Sequence, residues 1–141
     1  MKNKGTWIIV GIVAAFVLLI AGIFVSTNNR AVSLEEQVFT ADSDIQAQEK
    51  RRTDLIYNLA DCVKEYDKRE AETLLNELST TENMILQYRT AYNNEVRAYK
   101  KYVRKFPHKQ ILGIMGYEVI NYDYLEYSEE DRQPISNLFG E

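Results

Sequence analysis

The chain is poor in the residues that most often carry chemistry or cross-links. It holds a single cysteine, Cys62, and a single histidine, His108, among 141 residues. One cysteine cannot close a disulfide within a chain, so a disulfide-stapled fold is excluded. One histidine excludes a histidine-rich metal centre built from one chain. Proline occurs only at Pro107 and Pro134, and no glycine stands between Gly22 and Gly113. The interval Ile23–Phe106, which has neither turn-former, excludes a hairpin-rich β fold. An excess of basic charge is missing too. The net charge is −4, so no global attraction to nucleic acid is implied.

What is present begins with Trp7–Val25, an uncharged run of apolar and small residues. Its 19 residues rise roughly 28 Å as a helix, close to the hydrocarbon thickness of a bilayer. Trp7 stands at the entry, where an indole suits the headgroup region. A cleaved signal peptide is the competing reading. Its apolar core is normally shorter, about 7–15 residues, and Ile23–Thr27 is a poor cleavage site. The run therefore reads as a retained single-pass anchor in the cell (inner) membrane. Lys2 and Lys4 precede it, and Arg30, Lys50, Arg51 and Arg52 follow. That balance does not set an orientation.

Beyond the run, apolar spacing predicts helices. Ser33-Leu34-Glu35-Glu36 matches a capping box and predicts a helix start. Leu34, Val38, Ala41, Ile45, Gln48, Arg52, Leu55, Leu59, Cys62 and Tyr66 then recur at steps of three and four. This is a heptad-like stripe for packing against another helix. Ser79-Thr80-Thr81-Glu82 is a second capping-box match, and it predicts a break near Leu78. Glu82, Ile85, Arg89, Tyr92, Val96, Tyr99, Val103 and Phe106 form the second stripe, which Pro107 ends. The expected fold is all-α: an N-terminal transmembrane helix followed by a long antiparallel helical hairpin or reduced helical bundle. A lone hairpin has little core, so a homo-oligomer is expected.

Charge is segregated. Arg97, Lys100, Lys101, Arg104, Lys105 and Lys109 lie in a stretch without an acid. Ile111, Leu112, Ile114 and Met115 follow, with Gly113 and Gly116 among them. If the hairpin returns to the bilayer, these residues and Trp7 are candidate membrane contacts, and membrane lipid is the expected partner. The bland alternative packs the apolar segment on the hairpin and leaves the cations solvated. Residues 117–141 carry seven acids against Arg132 alone. The stretch Asn121–Tyr127 is acidic and aromatic, a candidate docking element for an unknown protein partner. In that alternative function the chain is a coiled-coil adaptor. Ile135, Leu138 and Phe139 are further candidate anchors.

No catalytic, cofactor or metal constellation is expected. Asp54, Asn58, Asp61 and Glu65 share a helix side, but acids at that spacing usually form a solvated face beside lysines such as Lys64 and Lys68. Arg52, Asn58, Glu82 and Arg89 are candidates for a polar network that sets helix register. Cys62, on the apolar stripe, reads as a small packed residue.

Two blocks resemble the LemA family. Glu49–Leu59, with Val63-Lys64-Glu65-Tyr66 after it, is similar to that family's basic pair and Asp-Leu-Ile-Pro-Asn-Leu signature, with Tyr57 in place of the proline. Thr81-Glu82-Asn83, Tyr92-Asn93, Val96, Tyr99 and Phe106-Pro107 resemble its second block, and Gly113 with Gly116-Tyr117 its Gly-x-x-Gly-Phe ending. The resemblance implies a membrane-anchored helical protein without known enzymatic activity, whose relatives include a magnetosome-membrane protein. It also implies a shortened member, because Leu75–Ser79 joins the blocks where the family carries further helices. The expected division is an anchor over 1–27, a LemA-like helical domain over 28–110, and an apolar segment with an acidic tail over 111–141.

Overall fold

The computed structural model describes residues 2–65 and 68–126, with side chains from 4–64 and 68–126. The described residues form three helices: α1 (Lys2–Glu65), α2 (Lys68–Arg104) and α3 (His108–Ile114). The fold is all-α, and the N-terminal part of α1 is long and apolar enough to cross a membrane. Tyr66, Tyr127, Ile135, Leu138 and Phe139, expected on the first stripe or in the acidic tail, lie outside the described residues.

Two expected helix boundaries are corrected. The capping box at Ser33 does not start a helix, because α1 runs through it from Lys2. No glycine or proline interrupts the backbone ladder between Ile23 and Glu65, so nothing ends the helix there. The predicted break near Leu78 is also absent: Leu75–Ser79 lies inside α2, which runs on to Arg104. Thr80 and Thr81 turn their hydroxyls back to the carbonyls of Asn76 and Glu77, both at 2.9 Å. Such bonding one turn back satisfies the hydroxyl within the helix, so these residues need not cap one. The apolar steps also run on through the supposed break, with Leu78 and Thr81 buried ahead of Ile85. At Tyr57, where the family has proline, α1 passes without interruption.

The chain forms two compact units. The first combines Met1–Gln37 with Arg97–Asn121, and the second combines Val38–Val96 with Tyr122–Glu141. In the second unit α1 and α2 pack antiparallel. Leu55, Leu59 and Leu78 are its buried centre, flanked by Ala71, Leu74 and Leu75. Val38, Ile45, Ile85, Tyr92 and Val96 are buried along the same two stripes. Burying side chains of this size contributes on the order of 1.5–3 kcal/mol each.

The second unit brings the two family-like blocks together. Arg89 donates to Glu49 at 3.2 Å, so the carboxylate partner is Glu49 and the expected Glu82 is corrected. Glu82 and Arg89 share one helix seven residues apart, about 10 Å of rise, too far for a direct bond. Arg52 is half-buried and its Nε has no hydrogen-bond partner among the described residues, and Asn58 is exposed. Neither joins the Arg89 pair. Asp61 pairs with Lys64 at 3.1 Å on the exposed face, and Cys62 is half-buried.

Asn93 fastens the end of this unit to α2. Its side-chain amide donates to the Leu125 carbonyl, and its oxygen accepts from the Leu125 N–H, both at 2.8 Å. The acidic aromatic stretch is therefore held against α2 at Leu125. Burial raises the pKa of Tyr92, and the nearby carboxylates Asp42 and Asp123 raise it further.

Candidate functional site

The candidate site lies wholly in the first unit, where the end of α2 and all of α3 pack beside α1. Side-chain spacing explains why. Thr27, Ala31 and Leu34 recur at steps of four and three on α1, and all are buried. Tyr99 and Val103 repeat the step on α2, and Ile111 and Leu112 supply the face of α3. These apolar stripes leave water only if the helices meet.

Pro107 fixes the change of direction between α2 and α3. It cannot donate a backbone proton, so α2 stops at Arg104, and α3 starts one residue after the proline. Gly116 then ends α3 at φ +72°, a left-handed conformation that glycine adopts without steric cost. The Tyr117 N–H reaches back to the Leu112 carbonyl at 2.9 Å, and the Gly116 N–H to Gly113 at 3.3 Å. This pair of bonds is a Schellman cap. It aims the Tyr117 side chain at the helices.

Tyr117 completes a polar chain through the packed interior. Its hydroxyl donates to Glu35 Oε2 at 2.6 Å. That single proton is then used, so the 3.2 Å bond between the hydroxyls of Tyr117 and Tyr99 takes its proton from Tyr99. The Ile120 N–H donates to Tyr99 in turn, at 3.1 Å. Direction therefore runs from the Ile120 backbone to the Glu35 carboxylate. Tyr117 is held protonated far above the usual phenol range, first by burial and then by its bond to Glu35. Sequence reasoning missed this relay. Glu35 stands beside the capping-box acid Glu36 with no role of its own in the sequence, and the Gly113–Tyr117 ending is visible without its destination.

A second contact sets the level of α2 against α1. Tyr102 donates to the Thr27 carbonyl at 3.3 Å, just past the apolar run. The His108 imidazole stacks on Tyr102, with ring centroids 4.1 Å apart. A groove of about 680 Å³ extends from these two rings along α1 as far as Ala15.

The expected surface residues divide. Ile111 and Leu112 are buried, so these two are corrected: they pack inside the unit and present nothing outward. Their burial follows from helical geometry, since a seven-residue helix against two others turns one face inward. Ile114 and Met115 face out, at 74% and 41% exposure. Phe106, expected on the second stripe, is also outside at 74%. Val119 and Ile120 add to the exposed apolar surface. Arg97, Lys101, Arg104, Lys105 and Lys109 are exposed beside it, and Lys100 is half-buried. Trp7 is exposed near the start of the apolar run.

The arrangement suits association with an interface that is apolar on one side and anionic on the other. Among the described residues no group of His, Cys, Asp and Glu is placed to hold a metal ion.

The LemA family model matches residues 71–139. This stretch includes the second block and the Gly113–Tyr117 ending, and it begins after the Glu49–Leu59 block. No curated protein and no solved structure matches the chain.

Proposed function

We propose that this chain, a LemA-family protein over residues 71–139, is a membrane-anchored, self-associating helical scaffold without catalytic activity. The apolar part of α1 crosses the cell membrane once. The basic end of α2 and the exposed side of α3 rest on the surface of the same leaflet. One observation carries this reading. Tyr102 bonds to α1 at Thr27, where the apolar run gives way to polar residues, and so brings five exposed cations and the Ile114–Met115 edge to that level. Cations close to an anionic surface contribute about 1 kcal/mol each, and apolar side chains add to this when they enter the headgroup region.

Self-association is the second part of the proposal. Phe39, Ile56, Tyr57 and Val63 are exposed on α1 within the second unit. Ile56 and Val63 lie two turns apart on one face, a spacing that suits a second copy.

The membrane contact is tested with a polarity-sensitive probe on Ile114→Cys in a Cys62→Ser background, in vesicles containing brominated lipid. Quenching at position 114, and none for a probe on Ile56→Cys, is the expected result. Equal, weak quenching at both sites would refute the surface contact. Oxidative cross-linking of Val63→Cys in the same vesicles tests assembly, and a purely monomeric product would refute it.

A further inference from the structure

The groove beside α1 has two unlike ends. Along the apolar run its wall is Ala15, Leu19, Gly22 and Ile23. At the other end stand Ser26, Tyr102 and His108. The distance from Ala15 to Thr27 is twelve residues, about 18 Å of helix, close to the depth of one bilayer leaflet. Its volume of about 680 Å³ lies within the usual range for small-molecule sites, roughly 300–1,000 Å³.

We propose that this groove binds one anionic phospholipid, with an acyl chain along Ala15–Ile23 and the phosphate at Ser26, Tyr102 and His108. The inference rests on the membrane insertion proposed above and names a specific ligand for that site. Three features favour it. At Gly22 an added Cβ would meet no atom within 4 Å, so the wall is notched and open. His108 Nδ1 is buried without a hydrogen-bond partner among the described residues, which leaves an unsatisfied ring nitrogen at the polar end of the groove. Lys101, Lys105 and Lys109 are exposed on the same short stretch, and no acid stands between Arg97 and Lys109.

A second copy's helix fits the groove less well. It would set polar Tyr102 and His108 against apolar side chains, and a symmetric pair would bring two basic clusters together. A phospholipid matches both ends at once. Its apolar part replaces bulk lipid at little cost, and the headgroup supplies acceptors to the Ser26 hydroxyl and the cations, the Tyr102 proton being already given to the Thr27 carbonyl.

The test uses the full chain, taken from vesicles of phosphatidylcholine and phosphatidylglycerol into mild detergent and weighed by native mass spectrometry. One retained phosphatidylglycerol per chain is expected. Gly22→Leu fills the notch while keeping the run apolar, and should lower retention about tenfold, equivalent to roughly 1.4 kcal/mol. Lys105→Gln with Lys109→Gln leaves the groove intact, and should shift retention from phosphatidylglycerol towards phosphatidylcholine. No retained lipid on the native chain, equal retention by Gly22→Leu, or lipid-free dimers would overturn the proposal. Alkaline carbonate extraction separates the two levels. A chain stripped from the vesicles refutes membrane insertion as well, whereas a carbonate-resistant chain without lipid refutes the lipid site alone.

Discussion

Replacing Tyr117 by phenylalanine removes one oxygen and should loosen the whole 112–120 segment. The Tyr117 hydroxyl donates to the Glu35 carboxylate at 2.6 Å. Hydrogen bonds to charged groups are worth about 1.5–3 kcal/mol, and the half-buried site favours the lower part of that range. Tyr99, which has 0% exposure, also loses Tyr117 as an acceptor. Together these give about 2 kcal/mol, or roughly 30-fold in a local opening equilibrium. Hydrogen exchange of the full chain in lipid nanodiscs reads that equilibrium at the Tyr117 and Ile120 amides, which bond to Leu112 and Tyr99. Exchange there should quicken by that factor, while amides around Leu55 and Leu78 in the second unit keep their rates. A Glu35→Gln and Tyr117→Phe cycle isolates the pair and should show coupling of about 1–2 kcal/mol. Unchanged exchange at Ile120, or additive single effects, would refute the relay. The same bond sets a pH dependence. Because the fold raises the pKa of the phenol, its stabilisation is complete below the ordinary tyrosine value of about 10 and declines as pH rises above it. Tyr117→Phe should remove that part of the alkaline loss.

Three further substitutions test the other local arguments. Ser79→Ala should stabilise α2 slightly, by about 0.3–0.5 kcal/mol in denaturant melts, because Ser79 is an exposed interior position of a continuous helix; a loss near 1 kcal/mol would instead mark an N-cap. Asn93→Ala removes both bonds to Leu125, and should expose the peptide bonds of residues 122–126 to limited proteolysis while α2 remains protected; unchanged cleavage would refute the fastening. Gly116→Ala meets open space but retains the left-handed φ, so circular-dichroism melts should show a loss of about 1–2 kcal/mol from backbone strain alone, with no loss if another residue can supply the cap.

Much of the fold was visible as periodicity. The two stripes predicted from three- and four-residue steps are the buried faces of α1 and α2, from Leu34 to Leu59 and from Ile85 to Val103. Burial depends on which residues share a helix face, and local spacing alone settles that. The boundaries were read less well. Ser33–Glu36 and Ser79–Glu82 carry the residues of a capping box, yet the same side chains are compatible with a helix interior, where a hydroxyl bonds one turn back. A motif of four residues cannot tell these cases apart, and only the packing of the neighbouring turns decides.

The sequence by itself determined an all-α chain, an apolar run long enough for a bilayer, and a basic stretch ended by proline. These follow from composition and short-range order. Tertiary structure alone decided the partners across distance. It paired Arg89 with Glu49, carried Tyr117 to Glu35, and set Tyr102 at Thr27. It also buried Ile111 and Leu112 while leaving Ile114 and Met115 exposed. Each of these outcomes depends on where one helix stops and the next begins. A shift of a few residues in that joint changes every opposing pair while leaving the periodicity untouched.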